Sequence, residues 1–311
     1  MQNKNHLISL IVCTMNRPRE LKRLLQSLFN QSYKNYEIIV VDGSTNMKTF
    51  ELVKKFHKKI KYVKQTGRGL PNARNLGLKF AKGSFIAFFD DDCIIHKDWI
   101  KEVISVFKRY KNVGGVCGKI KKMYSDRIKL GTFGKIMKFY ANIFGISGFF
   151  VTLDGIGKVL ETGFTTINFD KVLKDTETQW ISGCDMCFSR NAIKVVKNFY
   201  EGFIGNAYYE DVDFSYRVYK SGFKLYCCPN AVVDHLVSKT NRKTLPKLKY
   251  YQLVNQKIFF YRNVYSGNFT QKLRFGLAHL ALFVPVFLYS VYSCNLKLVA
   301  SYLKAELHLK Y

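Results

Sequence analysis

The chain has 311 residues, with 50 Lys or Arg against 22 Asp or Glu, a formal charge of +28 and 48% hydrophobic residues. That much apolar material fills a sizeable core and excludes a disordered, collagen-like or disulfide-scaffold protein; length makes one or two domains the expectation. A charge this positive points to an anionic neighbour, and nucleic acid, acidic phospholipid and phosphorylated substrates are the ordinary ones.

Met1 to Ile11 carries one lysine and runs into Leu7-Ile8-Ser9-Leu10-Ile11-Val12, too short and too strand-like for a signal peptide, so the main body is expected in the cytoplasm. Eight cysteines, several inside apolar runs, fit reduced thiols in a reducing compartment. Cys184-x-x-Cys187, the pair Cys227-Cys228 and His235 can be drawn as a zinc site, but adjacent ligands are unusual and small buried strand residues are the plainer reading.

From residue 7 to 119 strand and helix patterns alternate. The run Leu7 to Cys13 precedes Leu21, Leu24, Leu25, Leu28 and Phe29, one face of a helix entered through Asn16 and Pro18. Tyr36 to Val41 reads as a buried strand, Phe50 to His57 as a helix and Ile60 to Val63 as a strand. A helix over Pro71 to Lys82, stopped by Gly83, leads to a strand at Phe85 to Phe89. The periodic Trp99, Ile100, Val103, Ile104 and Phe107 then precede a strand near Val113 to Cys117. This alternation predicts an α/β fold whose mostly parallel sheet has helices on both faces, with ligands at the carboxyl ends of the strands. From Lys119 to Thr178 a glycine- and aromatic-rich stretch containing Phe144, Phe149 and Phe150 reads as variable loops and short helices. Order resumes with a strand over Ile181 to Phe188, a helix over Asp211 to Lys220 and strands at Phe223 to Cys227 and Ala231 to Asp234.

Three polar clusters fall where such a sheet puts a site. Cys13 to Pro18 and Val41-Asp42-Gly43-Ser44 end the first two strands, where polar groups and a helix N-terminus can hold a base and its phosphates; Asn16 can equally cap the helix and Asp42 make a turn. Asp90-Asp91-Asp92 follows an apolar strand, and its crowded carboxylates are costly without a cation; a solvated acidic turn capping the helix that begins near Lys97 is the alternative. Alternate strand residues point the same way, so Asp90 and Asp92 can share a face toward Mg²⁺ or Mn²⁺, whose remaining ligands would be water and diphosphate oxygens. Tyr208-Tyr209-Glu210-Asp211 opens an amphipathic helix. Acids there suit the helix dipole, and aromatic neighbours raise the basicity a general base needs.

Thr14-x-Asn16-Arg17, Val41-Asp42-Gly43-Ser44, Ala73-Arg74-Asn75, Asp90-x-Asp92, Glu210-Asp211 and His235, in this order, resemble the family 2 glycosyltransferases of the GT-A fold over about residues 7 to 265. The resemblance implies a nucleotide-diphosphate sugar donor (UDP, or dTDP as in rhamnosyltransferases), a divalent Mg²⁺ or Mn²⁺ and inversion at the anomeric carbon. It implies that Thr14, Asn16, Arg17 and Asp42 contact the nucleoside, Arg74 the base or diphosphate, and Asp90 and Asp92 the ribose and metal. Asp211, in the Glu210-Asp211 pair, would be the catalytic base, and His235 would lie near the metal or diphosphate. Processive relatives carry Gln-x-x-Arg-Trp after the Glu-Asp pair. Neither Gln252 nor Gln256 is followed by Arg-Trp, which predicts transfer of a single sugar. Asp91 has no role on this reading.

Residues 1–238 thus read as a catalytic domain (1–119 the nucleotide-sugar half, 120–238 the acceptor half) and 239–311 as a basic helical tail. Residues 239 to 274 hold nine Lys or Arg, and Phe275 to Asn295 is 21 residues without a formal charge, the length of a membrane span. With Pro285 inside it, the segment can span kinked, re-enter or lie in the interface; a buried core helix is the soluble alternative. The excess of positive charge before the segment places the enzymatic side on the cytoplasmic face of the membrane, with a glycan or polyprenyl-phosphate-linked acceptor. Two rival readings are a membrane-tethered nucleic-acid-binding protein and an inactive glycosyltransferase-like membrane protein. Scattered positives without a nucleic-acid motif weigh against the first, and the intact acidic groups against the second.

Overall fold

The computed structural model describes residues 6–56, 60–121, 131–147, 153–238, 240 and 243–308. His57, Phe149, Phe150 and Lys239, read from the sequence as parts of a helix, of aromatic loops and of the basic tail, lie outside them. Two compact units form. One comprises Met1–Met123, Phe169–Glu201 and Glu210–Arg242; the other comprises Tyr124–Asn168, Gly202–Tyr209 and Lys243–Tyr311. The composition shift at residue 239 falls close to the boundary at 242, whereas residues 124–168 group with the C-terminal residues and not with the sheet.

The first unit holds a mixed sheet of nine strands: β1 (Ile8–Thr14), β2 (Tyr36–Asp42), β3 (Ile60–Lys64), β4 (Phe85–Asp90), β5 (Cys93–Ile95), β6 (Val113–Lys121), β7 (Thr176–Thr178), β8 (Cys187–Ser189) and β9 (Lys224–His235). Their order is β3-β2-β1-β4-β8-β6-β9-β5, with β7 paired to β9. β3, β2, β1 and β4 are parallel, as the alternating pattern requires, because α1 (Pro18–Phe29), α2 (Lys48–Lys55) and α3 (Leu70–Leu78) supply the crossovers. α4 (Trp99–Arg109), α6 (Arg190–Val196) and α7 (Glu210–Lys220) complete this unit. The apolar stripe of α1 buries Leu21, Leu24, Leu25 and Leu28, and Pro18 at its first turn forfeits no helical hydrogen bond.

Four local expectations change. Ile181 to Met186 is not strand; only Cys187–Ser189 pairs, antiparallel to β4 and β6, because Ser182 to Asp185 turns to face polar partners. The two expected strands after Phe223 are one, β9, with a register shift where Gly118 and Lys119 of β6 pair with Cys228 and Val232. α3 stops at Leu78 and not at Lys82. β4 ends at Asp90 and Asp91-Asp92 is a turn into the short β5, so strand alternation does not set the direction of the acidic triplet.

The eight cysteines are free, and the proposed zinc ligands are dispersed in the sheet: the Cys227 thiol donates to Gly118 O, while Cys187 sits buried in β8. Beneath them Asp185 is fully buried and accepts from Trp99 Nε1 at 3.2 Å and Gly118 N at 2.6 Å. Burial pushes its carboxyl from 3.8 up to about 6, although those bonds pull it down. The folded state therefore holds this proton more tightly than the unfolded chain, so the contribution of this group to stability declines as pH rises from about 4 to about 6. Asp185→Asn should flatten that segment of a stability-versus-pH curve, whereas Asp185→Ala, which orphans two buried donors, should cost about 2–4 kcal/mol in denaturant titrations.

The second unit contains α5 (Gly131–Ile143), α8 (Leu245–Phe259), a π-helical turn over Phe260–Val264, α9 (Phe269–Tyr292) and α10 (Lys297–Glu306). α9 spans 24 residues and begins six residues before the charge-free segment; Asn268 caps it, its Oδ1 accepting from Thr270 N.

Candidate active site

Parallel pairing brings the ends of β1 and β2 side by side, with Thr14 in register with Asp42. Thr14 Oγ1 donates to Asp91 Oδ2 at 2.8 Å, and Arg17 Nη1 donates to Asp91 Oδ1 at 3.0 Å while its Nε donates to Thr240 O. Asp91, the triplet member without a role in the sequence reading, is therefore the anchor of both. Burial pushes its carboxyl up to about 7 against the pull of Arg17 and Thr14. Its signal in sequence was only its place in the triplet.

Asn16 does not cap α1. It takes a left-handed conformation (φ 57°), and its Oδ1 accepts from Thr45 N and from Asn46 Nδ2. Its own N–H donates to Ser44 Oγ at 2.7 Å, so this residue ties the β1 loop to the β2 loop. Asp42 is fully buried, one oxygen accepting from Ser44 N and the other from Tyr62 Oη, each at 2.8 Å. Burial and that bond push the Tyr62 phenol above its ordinary value, keeping it a donor.

Arg74, from α3, is 2% exposed. Its Nη1 pairs with Glu210 Oε1, and its Nη2 donates to Asp90 Oδ1 at 3.1 Å and Gly183 O at 2.9 Å. The guanidinium expected at the base or diphosphate is thus engaged by two carboxylates and a carbonyl. A Cβ on Gly183 would lie 3.0 Å from the Asp211 Cβ and 3.1 Å from both Arg74 Nη atoms, which explains a glycine in this crowded turn. Gly183 N also donates to Asp211 Oδ2 at 2.8 Å. Arg74→Met should leave Glu210 buried without its cation and cost about 3–5 kcal/mol in equilibrium unfolding, and adding Glu210→Gln should recover much of it, a coupling read from the double-mutant cycle.

The two carboxylates opening α7 differ. Glu210 is buried and ion-paired, and its second oxygen is buried without a hydrogen-bond partner among the described residues. Asp211 is half-buried, accepts from the backbone N–H of Gly183 and of Val212, and has no ion pair among the described residues. Burial raises both carboxyls, with Arg74 opposing.

Antiparallel pairing of β5 with β9 sets Cys93 opposite His235 and so brings Asp92 to the imidazole, 3.1 Å from Nε2. Asp92 Oδ2 accepts from Ser238 N at 2.8 Å, a contact with no forewarning in the sequence. Burial works to raise the Asp92 carboxyl, but the His235 and Ser238 bonds and the Arg17 charge outweigh it and hold it at about 2. Ligand atoms of Asp92, Cys93 and His235 lie within 4.8 Å of one another. The Cys93 thiol stays protonated, pushed well above its ordinary value by burial and donating to Cys184 O, so an ionised carboxylate and an imidazole are the donors on offer. Asp90, partly exposed, feels both Asp92 and His235 electrostatically. This oxygen-and-nitrogen set fits Mg²⁺ or Mn²⁺.

Residues 9–159 match the family model described as glycosyl transferase family 2. The chain carries a family 2 glycosyltransferase domain. It is 27% identical over 258 residues, 76% of this chain and 69% of the relative, to a dolichyl N-acetyl-alpha-D-glucosaminyl phosphate 3-beta-D-2,3-diacetamido-2,3-dideoxy-beta-D-glucuronosyltransferase of Methanococcus voltae. It is 36% identical over 108 residues to glycosyltransferase GlyA of Streptococcus pneumoniae, covering 33% of this chain and only 15% of that protein. Among solved structures, a mannosyltransferase of Pyrobaculum calidifontis in complex with GDP-Man and Mn²⁺ superposes with a TM-score of 0.61 at 16% identity, over 98% of this chain and 87% of the other. GalNAc-T7 with UDP, GalNAc and Mn²⁺ superposes at 0.59 and 15% identity, over 84% of this chain and 48% of the other. At such identities the likeness is one of fold: the mixed sheet with flanking helices is like theirs, in keeping with the GT-A fold that the family resemblance implied.

Proposed function

We propose that this glycosyltransferase is inverting and non-processive, moving one sugar from a nucleotide-diphosphate sugar to a hydroxyl of a glycan or lipid-linked acceptor. The observation that carries it is Asp211: alone of the two carboxylates opening α7, it is partly exposed and held by backbone N–H groups, ready to accept a proton. Glu210 is a positioning residue that holds Arg74, and Arg74 in turn aims Asp90. Thr14 and Arg17, set by Asp91, with Asn16 and Asp42, bind the nucleoside. Asp92 and His235, with Asp90 beside them, hold a divalent cation, which when bound supplies Lewis-acid neutralisation of the leaving diphosphate. Asp211 takes the proton of the acceptor hydroxyl as it attacks, and a single displacement inverts the anomeric centre.

UDP is the preferred donor nucleotide and dTDP the second choice. A relative whose name specifies a dolichyl phosphate-linked sugar, and the apolar α9, support a lipid-linked acceptor at the cytoplasmic face of the membrane. A mass-spectrometric screen of nucleotide sugars with and without EDTA should find one donor whose nucleoside diphosphate is released only with metal. Release from none, with tight binding of RNA or DNA, would support the rival nucleic-acid reading.

A further inference from the structure

α9 is about 36 Å long at 1.5 Å per residue, enough to cross a bilayer, yet its two faces differ. Phe269, Leu273, Leu277, Leu280, Val284, Phe287 and Val291 are all exposed, Leu280 at 70%. Their steps of three and four place them within about a quarter-turn of one another, a single outward stripe. Leu296, Leu303 and Leu307 add a second exposed row on α10 and its ends.

The opposite face of α9 is fastened to its own unit by polar contacts. His279 hydrogen-bonds Glu306 Oε1 through Nδ1 and Gln256 Oε1 through Nε2, each at 2.8 Å, and Tyr302 Oη donates to His279 O. Tyr140 Oη donates to Ala281 O at 2.9 Å. Glu306 in turn pairs with Lys257 of α8 at 2.6 Å. A spanning α9 would either strip these partners away or carry an ion pair and an imidazole into hydrocarbon, and both are costly. The surrounding charge is one-sided: residues 243–311 hold ten Lys or Arg and one acid, Glu306, which is already paired. Lys272, Lys297 and Lys304 are exposed on α9 and α10, and Arg274, exposed beside them, pairs with Glu161.

We infer that α9 and α10 lie in the plane of an anionic lipid surface, the α9 stripe immersed in one leaflet and the lysines on the headgroups, without crossing the bilayer. This deepens the membrane reading above and rests on it for the partner. An apolar stripe bordered by cations is the pattern of an interfacial helix, and cations near an anionic surface strengthen its attachment.

Flotation of the full chain with phosphatidylcholine vesicles, with and without phosphatidylglycerol, tests it. Binding should strengthen about tenfold or more with the anionic lipid and weaken with salt. Leu280→Glu combined with Phe287→Glu should lower binding at least about tenfold, while Leu173→Glu, at a position 86% exposed in the first unit, should not. In sealed vesicles of expressing cells with the sheet unit outward, an impermeant maleimide should label exposed Cys294 together with a Leu173→Cys reference. Labelling of Cys294 only after detergent would establish a span and overturn the inference. A lipid-indifferent, monodisperse dimer dissociated by Leu280→Glu would overturn it in favour of a second copy. Nucleoside diphosphate release, measured in detergent on the same samples, separates the outcomes: lost lipid binding with retained turnover concerns this surface, and absent turnover concerns the enzymatic reading.

Discussion

Asp211→Asn is expected to bind donor as tightly as the wild type in isothermal titration and to transfer sugar about three orders of magnitude more slowly. The amide oxygen can still accept from Gly183 N, and only the bond from Val212 N loses its acceptor, so the turn that carries it and the neighbouring Arg74 cluster should persist. What disappears is a carboxylate able to take a proton, in an environment where burial has raised its basicity. Glu210→Gln separates the two acids by a different signature. Losing the buried pair with Arg74 should lower unfolding stability together with turnover, whereas Asp211→Asn, which forfeits one backbone hydrogen bond, should lower turnover with a much smaller loss of stability. Near wild-type transfer by Asp211→Asn would move the base elsewhere, and an NMR assay showing retention of the anomeric configuration would reject single displacement.

Asp92→Ala should abolish metal-dependent turnover, a loss of about three orders of magnitude or more, because the cation contributes several kcal/mol of charge stabilisation. It also removes the acceptor of Ser238 N and the partner of His235 Nε2, so donor and metal affinities should fall together in calorimetric titrations with Mn²⁺. The Asp92 carboxyl is held at about 2, which keeps it ionised through the whole neutral and mildly acidic range. Loss of metal binding on acidification should therefore track other groups of the site and not Asp92. Wild-type turnover undiminished by EDTA, or full activity in the purified variant, would remove the metal from the proposal.

Apolar patterning carried the strand and helix alternation from β1 to β6, because each helix repeats its buried residues every three to four positions while the central strands, buried on both faces, read as continuous apolar runs. It failed where side chains take their direction from turns. β4 stops at Asp90, and the short β5 is too brief to show a period. The motif residues also come together at the strand ends, since polar residues that end apolar strands stay near one another however the loops run. Sequence could not assign roles within a cluster. Glu210 and Asp211 are neighbours of similar chemistry, and only Arg74, brought across 136 positions of the chain, buries and pairs one while leaving the other half-exposed. Asp91 became an anchor, and not a spare, because β1 and β4 pair and bring Thr14 and Arg17 to it. The charge-free C-terminal segment announced an apolar helix of spanning length, but length is blind to facing. His279, Tyr302, Glu306 and Lys257 meet only once α8, α9 and α10 pack, and that packing divides the helix into a fastened face and an exposed one.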